Sequence, residues 1–143
     1  MNRNYLSLIL FIILVDYVLK FIVSNKVKNY GAAFDILENY HLFLLIVSFL
    51  AFIFFIYLFY EHKEYKLGLS FLIAGTVSNL IDRILLGYVV DYIPFFDIFY
   101  FNLGDLSNFI GILILIFYIF KKPNLEEEQK VLKKDLKRRR EQN

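Results

Sequence analysis

Residues 42–60 read LFLLIVSFLAFIFFIYLFY, a run without a charged side chain. A helix needs about 20 apolar residues to cross the roughly 30 Å hydrocarbon core of a bilayer, and this run is close to that length. Three further apolar segments approach the same length, namely residues 5–23, 67–86 and 101–120. The sequence therefore predicts an all-α integral membrane protein, folded as a bundle of four transmembrane helices.

The composition agrees with this prediction and excludes several kinds of site. Hydrophobic residues make up 59% of the 143-residue chain, and the mean hydropathy is +0.55. Four apolar helices in so short a chain leave too little polar surface to cover them in water. The absence of cysteine excludes disulfides, thiolate metal sites and a cysteine nucleophile. His41 and His62 flank one apolar run, about 30 Å apart if it is helical, so a metal site or catalytic triad built on histidine is not predicted. No metal or organic cofactor is expected.

The distribution of positive charge predicts the orientation in the membrane. Twelve of the 16 Lys and Arg residues lie near the N-terminus, in the 61–66 loop or in the tail after residue 120, whereas the other side holds only Lys26 and Lys28. Because Lys and Arg concentrate in cytoplasmic segments, both termini are predicted to be cytoplasmic, and segments 24–41 and 87–100 to face outward.

Residues 1–123 are predicted to form the membrane domain and residues 124–143 a charged cytoplasmic tail. The chain is predicted to be a monomer that contacts membrane lipid but no nucleic acid.

Several charged and polar residues interrupt the apolar segments. Such residues are costly in a membrane and normally face the interior of the bundle. Asp16 precedes Lys20 by four residues, a spacing that favours an ion pair on one helical face. On the third segment a single stripe carries Gly75, Asn79, Asp82 and Arg83. We predict structural roles for Asp16, Lys20 and Asp82, and we expect Arg83 to require an acidic or carbonyl partner.

Two further aspartates flank the outward ends of the last two segments. Asp91 follows the third segment in GYVVDYIP, residues 87–94, where a glycine and a proline bracket a short extended piece. Asp105 lies in FNLGD, residues 101–105, near the outward start of the fourth segment. Two carboxyl groups that converge share a proton, so that one can accept a proton from water while the other donates to a carbonyl. Separate helix caps or loop anchors are the alternative for the same two residues.

Taken together, these elements resemble the lipoprotein signal peptidase family, also called signal peptidase II. The resemblance covers about residues 5–120 and rests on five motifs in this order: Asp16-x-x-x-Lys20, Asn29-x-Gly-Ala-Ala-Phe34, Asn79-Leu-Ile-Asp-Arg83, Val89-Val-Asp91-Tyr-Ile93 and Phe101-Asn-Leu-Gly-Asp105. The chain departs from the usual pattern at three positions, where Ser78 replaces glycine, Gly104 replaces alanine and Tyr92 replaces phenylalanine.

The resemblance implies an aspartic endopeptidase of the bacterial inner membrane, with Asp91 and Asp105 as its catalytic pair. It implies that the substrate is a prolipoprotein with a diacylglyceryl group on a cysteine, and that cleavage occurs just before that cysteine. An outward β-like platform is expected to follow the first helix, around residues 29–34. The residues expected to bind the substrate are Asn29, Gly31, Asn79, Arg83 and Asn102.

Two other functions would use similar residues. An ion or proton pathway also places Asp, Arg and Lys in a membrane, but it predicts acids spread through the membrane depth. In this sequence most of them lie toward the outward ends of the segments. A non-catalytic scaffold is the second alternative, and it leaves the two acids and the Asn and Gly pattern unexplained.

Overall fold

The computed structural model describes residues 3–31, 40–96 and 98–141. Its elements run in the order α1 (Arg3–Ile22), β1 (Val27–Asn29), α2 (His41–Glu61), a 3-10 turn (Lys63–Tyr65), α3 (Lys66–Leu85), β2 (Val89–Asp91), β3 (Ile93–Phe95), β4 (Phe99–Phe101) and α4 (Leu103–Glu141). Within these residues four helices are long and apolar enough to cross a membrane. The predicted four-helix bundle is therefore confirmed, with helix ends within two residues of the predicted ones except at the end of α4.

Helix α3 is the centre of the bundle, because it contacts α1, α2 and α4. In its most apolar stretch of 18 residues, two thirds of the residues are buried inside the protein, compared with 11% in the corresponding stretch of α2. Helix α3 holds more of the buried small and polar residues than any other helix, whereas α1, α2 and α4 expose large apolar side chains such as Phe21, Phe54 and Phe117. This arrangement turns hydrocarbon side chains toward lipid and keeps polar groups among protein partners.

Glycines allow α3 and α4 to approach closely. Gly75 lies against the carbonyl of Gly104, and Gly68 lies against that of Gly111. Gly68 and Gly75 are seven residues apart on α3, as are Gly104 and Gly111 on α4, so the two glycines of each helix lie on one face. Because small residues let two membrane helices pack backbone to backbone, this contact fixes the position of the start of α4 against the middle of α3.

The strands form two small antiparallel sheets at one end of the bundle. In the first, β1 pairs with β2, with Val27 opposite Asp91 and Asn29 opposite Val89. In the second, β3 pairs with β4 as a hairpin. The predicted β-like platform after the first helix is thus present, although three of its four strands follow α3 rather than α1. Residues 32–34 of the platform motif lie outside the described residues.

Helix α4 differs from its predicted bounds at both ends. Phe101, predicted as its first residue, belongs to β4, and the helix starts at Leu103 because Asn102 caps it through a hydrogen bond from Asp105 N to Asn102 Oδ1 (2.9 Å). At the other end the helix continues past Phe120 to Glu141, through a segment rich in the helix formers Leu, Glu, Lys and Arg. The predicted boundary at residue 123 therefore falls inside α4, and the division into membrane domain and tail stays a prediction.

We expect Gly75→Ala to lower the free energy of unfolding by about 1–3 kcal/mol, the usual range for overpacking. A Cβ at residue 75 would overlap the backbone carbonyl of Gly104 and lie 2.5 Å from Asn108 Oδ1. Gly68→Ala is the matched control, because its new methyl group would lie 2.9 Å from the flexible side chain of Leu115 and no closer than 3.0 Å to the backbone oxygen of Gly111, a much milder overlap. Unfolding of both variants in one detergent tests this, and an equal or larger loss for Gly68→Ala would contradict it.

Candidate active site

Asp91 ends strand β2 and is held by two amide side chains. Asn29 Nδ2 donates to Asp91 Oδ2 (2.9 Å), and Asn102 Nδ2 donates to Asp91 Oδ1 (2.6 Å). The pairing of β1 with β2 brings Asn29 to this position, and the cap of α4 supplies Asn102. Asp91 is only 2% exposed. Its carboxyl group is therefore buried, with an amide donor on each oxygen.

Asp105 lies in the first turn of α4, on the other side of Asn102. Asn79 Nδ2 donates to Asp105 Oδ1 (2.8 Å), and the backbone N–H of Asn102 donates to Asp105 Oδ2 (3.2 Å). Because Asn102 Oδ1 in turn accepts from Asp105 N, the two residues form a reciprocal capping arrangement. The start of the helix thus fixes the Asp105 carboxylate, and its N-terminal position favours a negative charge.

Asn102 therefore links the two acids. Its side-chain amide contacts Asp91, while its backbone and side-chain oxygen contact Asp105. Asn102 is itself fully buried, so this geometry is fixed by the surrounding protein. The two carboxyl groups predicted to converge do so around one residue.

Next to the acids is a cavity of about 320 Å³. Asp105 lines it, whereas the buried Asp91 does not. Its lining combines polar side chains from β1, α3 and the start of α4 with apolar and aromatic side chains from β2, β4 and the following turns of α4, and it comprises Asn29, Asn79, Arg83, Val89, Phe99, Tyr100, Phe101, Asp105, Asn108, Phe109 and Ile112. A ligand in this cavity would meet the Asp105 carboxylate, the guanidinium of Arg83 and an apolar wall together.

The remaining predicted binding residues lie at the β1 side of this cavity. Arg83 donates from Nη2 to the backbone oxygen of Gly31 (3.2 Å), the carbonyl partner that the sequence required. Gly31 N donates to Asn29 Oδ1 (2.9 Å), so the Asn29 amide is held at both ends. The structure therefore brings Asn29, Gly31, Asn79, Arg83 and Asn102 to one region around the two acids.

A buried ion cluster lies behind the acids. Lys20 Nζ is 2.7 Å from Asp16 Oδ2 and 2.9 Å from Asp82 Oδ2. All three charged side chains are at most 6% exposed. Lys20 Nζ also donates to Asn79 Oδ1 (3.4 Å). Since Asn79 donates to Asp105, the cluster orients the amide that holds this acid.

Asp16 also connects the first helix to the start of the fourth. Its Oδ1 accepts a hydrogen bond from the hydroxyl of Tyr92 (2.8 Å) and another from the backbone N–H of Leu103 (3.0 Å). Its Oδ2 accepts from the hydroxyl of Ser78. Asp82 Oδ2 accepts from the backbone N–H of Val90 (3.0 Å). The structural residues of the sequence prediction thus contact the segments that carry both acids.

Burial raises the pKa of Asp91 to about 6, and the negative charge of Asp105 contributes to the same shift. The hydrogen bonds from Asn29 and Asn102 oppose it, because they stabilise the ionised form. Among the described residues, no group of three His, Cys, Asp or Glu side chains is placed to hold a metal ion.

Sequence reasoning missed four residues that contact this region. Ser78 and Tyr92 supply hydroxyls to Asp16, while Thr76 and Asn108 meet where α3 and α4 cross. In the sequence, Ser78 and Tyr92 are visible only as departures from the family pattern. Asn108 had a usable signal, because an amide in an apolar helix one turn after Asp105 must face a polar partner.

Comparison with known proteins shows which family the chain belongs to. Residues 8–121 match the model of a family described as signal peptidase (SPase) II. The chain belongs to the signal peptidase II family. The match covers all four membrane-length helices almost completely and includes every predicted site residue.

Individual relatives carry the name lipoprotein signal peptidase. One from Caldicellulosiruptor bescii is 40% identical over 97 residues, which are 66% of this chain and 65% of the relative. One from Clostridioides difficile is 37% identical and aligns over 66% of its own length. The chain thus spans just under two thirds of these two relatives. One from Enterococcus faecalis is 30% identical, with 80% of this chain and 75% of the relative aligned.

The fold of this signal peptidase II family member also matches a solved structure described as a bacterial membrane enzyme. The TM-score is 0.80 at 26% identity, with 86% of this chain and 91% of the solved chain aligned. Together with the four membrane-length helices, this similarity makes the chain a multi-pass membrane protein.

We expect Arg83→Ala to lower the free energy of unfolding by about 2 kcal/mol, because it removes a charged donor from the Gly31 carbonyl. Arg3→Ala is the control, since Arg3 is exposed at the start of α1 and its loss should change stability by about 0.5 kcal/mol or less. Unfolding of the two variants in the same detergent measures the difference. Equal losses of unfolding free energy in the two variants would mean that the hydrogen bond from Arg83 to Gly31 does not stabilise the fold.

The raised pKa of Asp91 predicts a pH dependence of stability. The folded-state pKa of about 6 lies above the ordinary carboxyl pKa of 3.8, so the folded state binds more protons between about pH 4 and pH 6. The contribution of Asp91 to the free energy of unfolding therefore decreases as pH rises through this window and is constant above it. Asp91→Asn removes this dependence, so the stability of the native chain relative to this variant should fall from pH 4 to pH 7. If the free energies of unfolding of the two proteins changed in parallel with pH, the raised pKa of Asp91 would be contradicted.

Proposed function

We propose that the protein is an aspartic endopeptidase that removes the signal peptide from lipid-modified prolipoproteins, with Asp91 and Asp105 as its catalytic pair. The observation that carries this proposal is the placement of both carboxyl groups around Asn102, beside a cavity with one polar and one apolar part. The names of the relatives supply the substrate class. Cleavage would occur before the cysteine that carries the diacylglyceryl group.

The reaction proposed for this pair is the attack of a water molecule on the scissile peptide carbonyl. One carboxylate takes a proton from the water, and the other, protonated, donates a hydrogen bond to the carbonyl oxygen. The tetrahedral intermediate then collapses as the departing amine receives a proton from the pair. Because two interacting acids titrate as a unit, the two roles belong to the pair rather than to fixed residues. Burial of Asp91 supports a shared proton near neutral pH, since it raises the pKa.

The two parts of the cavity match the two parts of such a substrate. Arg83 and Asn79 provide donors beside Asp105 for peptide oxygens, and Asn29 lines the same cavity. Gly31 and Asn102 act from behind the lining, because Gly31 accepts from Arg83 and Asn102 donates to Asp91. Phe109 and Ile112 continue along α4 as an apolar wall toward the middle of the membrane-length segment. A lipid-modified cysteine would place its peptide bond at the acids and its acyl chains along this wall. In a bilayer the lipid mainly fixes the depth and orientation of the peptide bond.

We also propose that both termini are cytoplasmic and that the site faces outward across the bacterial inner membrane, in a monomer. The excess of Lys and Arg on one side supports this orientation. The acids, the sheets and Arg83 all lie near the ends of α1 and α3 and the start of α4, which is the opposite side. This clustering at one end also argues against an ion pathway, which requires ionisable groups along its length.

The experiment is the incubation of the purified full chain, in detergent or lipid, with a synthetic prolipoprotein peptide. One peptide carries a diacylglyceryl group on its cysteine and a second has the same sequence without the lipid. We expect release of the signal peptide from the modified substrate and far slower cleavage of the unmodified one, because only the lipid holds the peptide bond at the depth of the acids. Equal cleavage of both would exclude the lipid from recognition, and cleavage of neither would refute the proposal.

In the same assay, Asp91→Asn and Asp105→Asn should each abolish turnover, since an amide can neither accept the proton of water nor share one with its partner. Glu61→Gln is the matched control, because Glu61 is an exposed acid at the far end of α2. The unfolding temperature of each variant checks that loss of activity is not loss of fold. Near-normal turnover by either aspartate variant would refute the catalytic pair.

A further inference from the structure

Asn108 is a polar side chain of α4 that the proposed mechanism does not use. It follows Asp105 by three residues, so the two side chains lie on one face of the helix. It lines the same cavity as Asp105 and Arg83. At a rise of about 1.5 Å per residue it lies roughly 4.5 Å farther along α4 than Asp105, at the border with the apolar wall.

The amide of Asn108 faces α3 through its oxygen. Its Oδ1 accepts a hydrogen bond from Thr76 Oγ1 (3.5 Å). The amide also packs against the bare Cα of Gly75, where a Cβ would lie 2.7 Å from Asn108 Cγ. With Oδ1 directed at α3, the planar group turns Nδ2 away from that helix. Among the described residues, Asn108 Nδ2 donates to no acceptor.

A free amide donor at this depth needs a partner. In a membrane-length segment an unpaired donor is costly, and water can satisfy it only while the cavity is empty. A substrate that displaces this water without offering an acceptor would lose binding free energy. The neutral NH₂ group is matched by a carbonyl oxygen.

Resting on the proposed function, we propose that Asn108 is a substrate-positioning residue whose Nδ2 donates a hydrogen bond to a carbonyl oxygen of the bound lipopeptide. Two parts of the substrate contain such an oxygen at this border. One is an ester carbonyl of the diacylglyceryl group, and the other is a peptide carbonyl of the signal peptide near the cleaved bond. Both are carbonyl acceptors, so the same donor recognises either.

The test uses the full chain with Asn108→Leu, which keeps the side-chain shape but removes the donor, and Asn108→Ala as a second variant. We expect KM for the diacylglyceryl peptide to rise about fivefold, with kcat within twofold of the native value. A rise in KM without a change in kcat means that the lost hydrogen bond stabilised the bound substrate and the transition state equally. Ser107→Ala is the matched control, since Ser107 is a buried neighbour that donates to Phe71 O and does not line the cavity. It should lower the unfolding temperature and leave KM unchanged.

A second substrate with ether-linked chains distinguishes the two carbonyls. If the ester carbonyl is the acceptor, the ether substrate raises KM for the native chain and Asn108→Leu has no further effect on it. If a peptide carbonyl is the acceptor, Asn108→Leu raises KM by the same factor for both substrates. Either result supports the proposal, whereas unchanged KM for both Asn108 variants and both substrates would overturn it.

Direct binding of the same lipopeptides, measured in parallel, separates this proposal from the proposed function. If the native chain binds the peptide without cutting it, the peptidase proposal fails, but the dissociation constants of the Asn108 variants still decide the role of Asn108. If it neither binds nor cuts, both proposals are overturned.

Discussion

The buried ammonium group of Lys20, shared between Asp16 and Asp82, is the interaction on which the site depends. Removing three charges from water costs several kcal/mol for each, and the cost is offset only when every charge has close partners. One lysine leaves a net negative charge on the two carboxylates, which is met by neutral donors: the hydroxyls of Ser78 and Tyr92 and the backbone N–H groups of Val90 and Leu103. These donors come from α3, from the strands and from the start of α4. Satisfying the cluster therefore requires the elements that carry Asp91 and Asp105 to assemble around it.

Hydrogen bonds connect this ion cluster to the two acids. Asn79 accepts from Lys20 and donates to Asp105, so this one amide fixes the position of the Asp105 carboxyl group relative to the ion cluster. Asn102 then connects this acid to Asp91. Among the described residues, both carboxyl groups accept hydrogen bonds from amides and neither contacts a cation directly, so no ion pair fixes their protonation. For Asp91 burial is the larger effect, and it raises the pKa toward neutrality.

The contact between α3 and α4 determines both the packing of the bundle and the geometry of the site. Gly75 and Gly104 allow the two backbones to approach, which brings Asn79 within reach of Asp105 and seats Asn108 beside Thr76. The bilayer cannot drive this contact by the hydrophobic effect, because lipid chains are as apolar as the side chains they would replace. Close packing and polar partners take that role. The polar part of the cavity is thus held by the polar contacts that bring the helices together, while its apolar wall continues the lipid-facing side of α4.

The sequence by itself determined the four membrane helices, the polar stripe on α3 and the ion pair of Asp16 with Lys20, because hydropathy and helical spacing are local properties of the chain. It also indicated that Asp91 and Asp105 lie at one end of the bundle, since the order of the helices requires it. Only the tertiary structure decided which partners each buried group finds: the pairing of β1 with β2 that brings Asn29 to Asp91, the sharing of Lys20 with Asp82, and the double contact of Asn102. The physical reason is that a buried charge or amide must be satisfied, but nothing in its own segment specifies by which distant group. Asn108 shows the same limit, because its polarity was visible in the sequence while its place beside the acids depended on the crossing of α3 and α4.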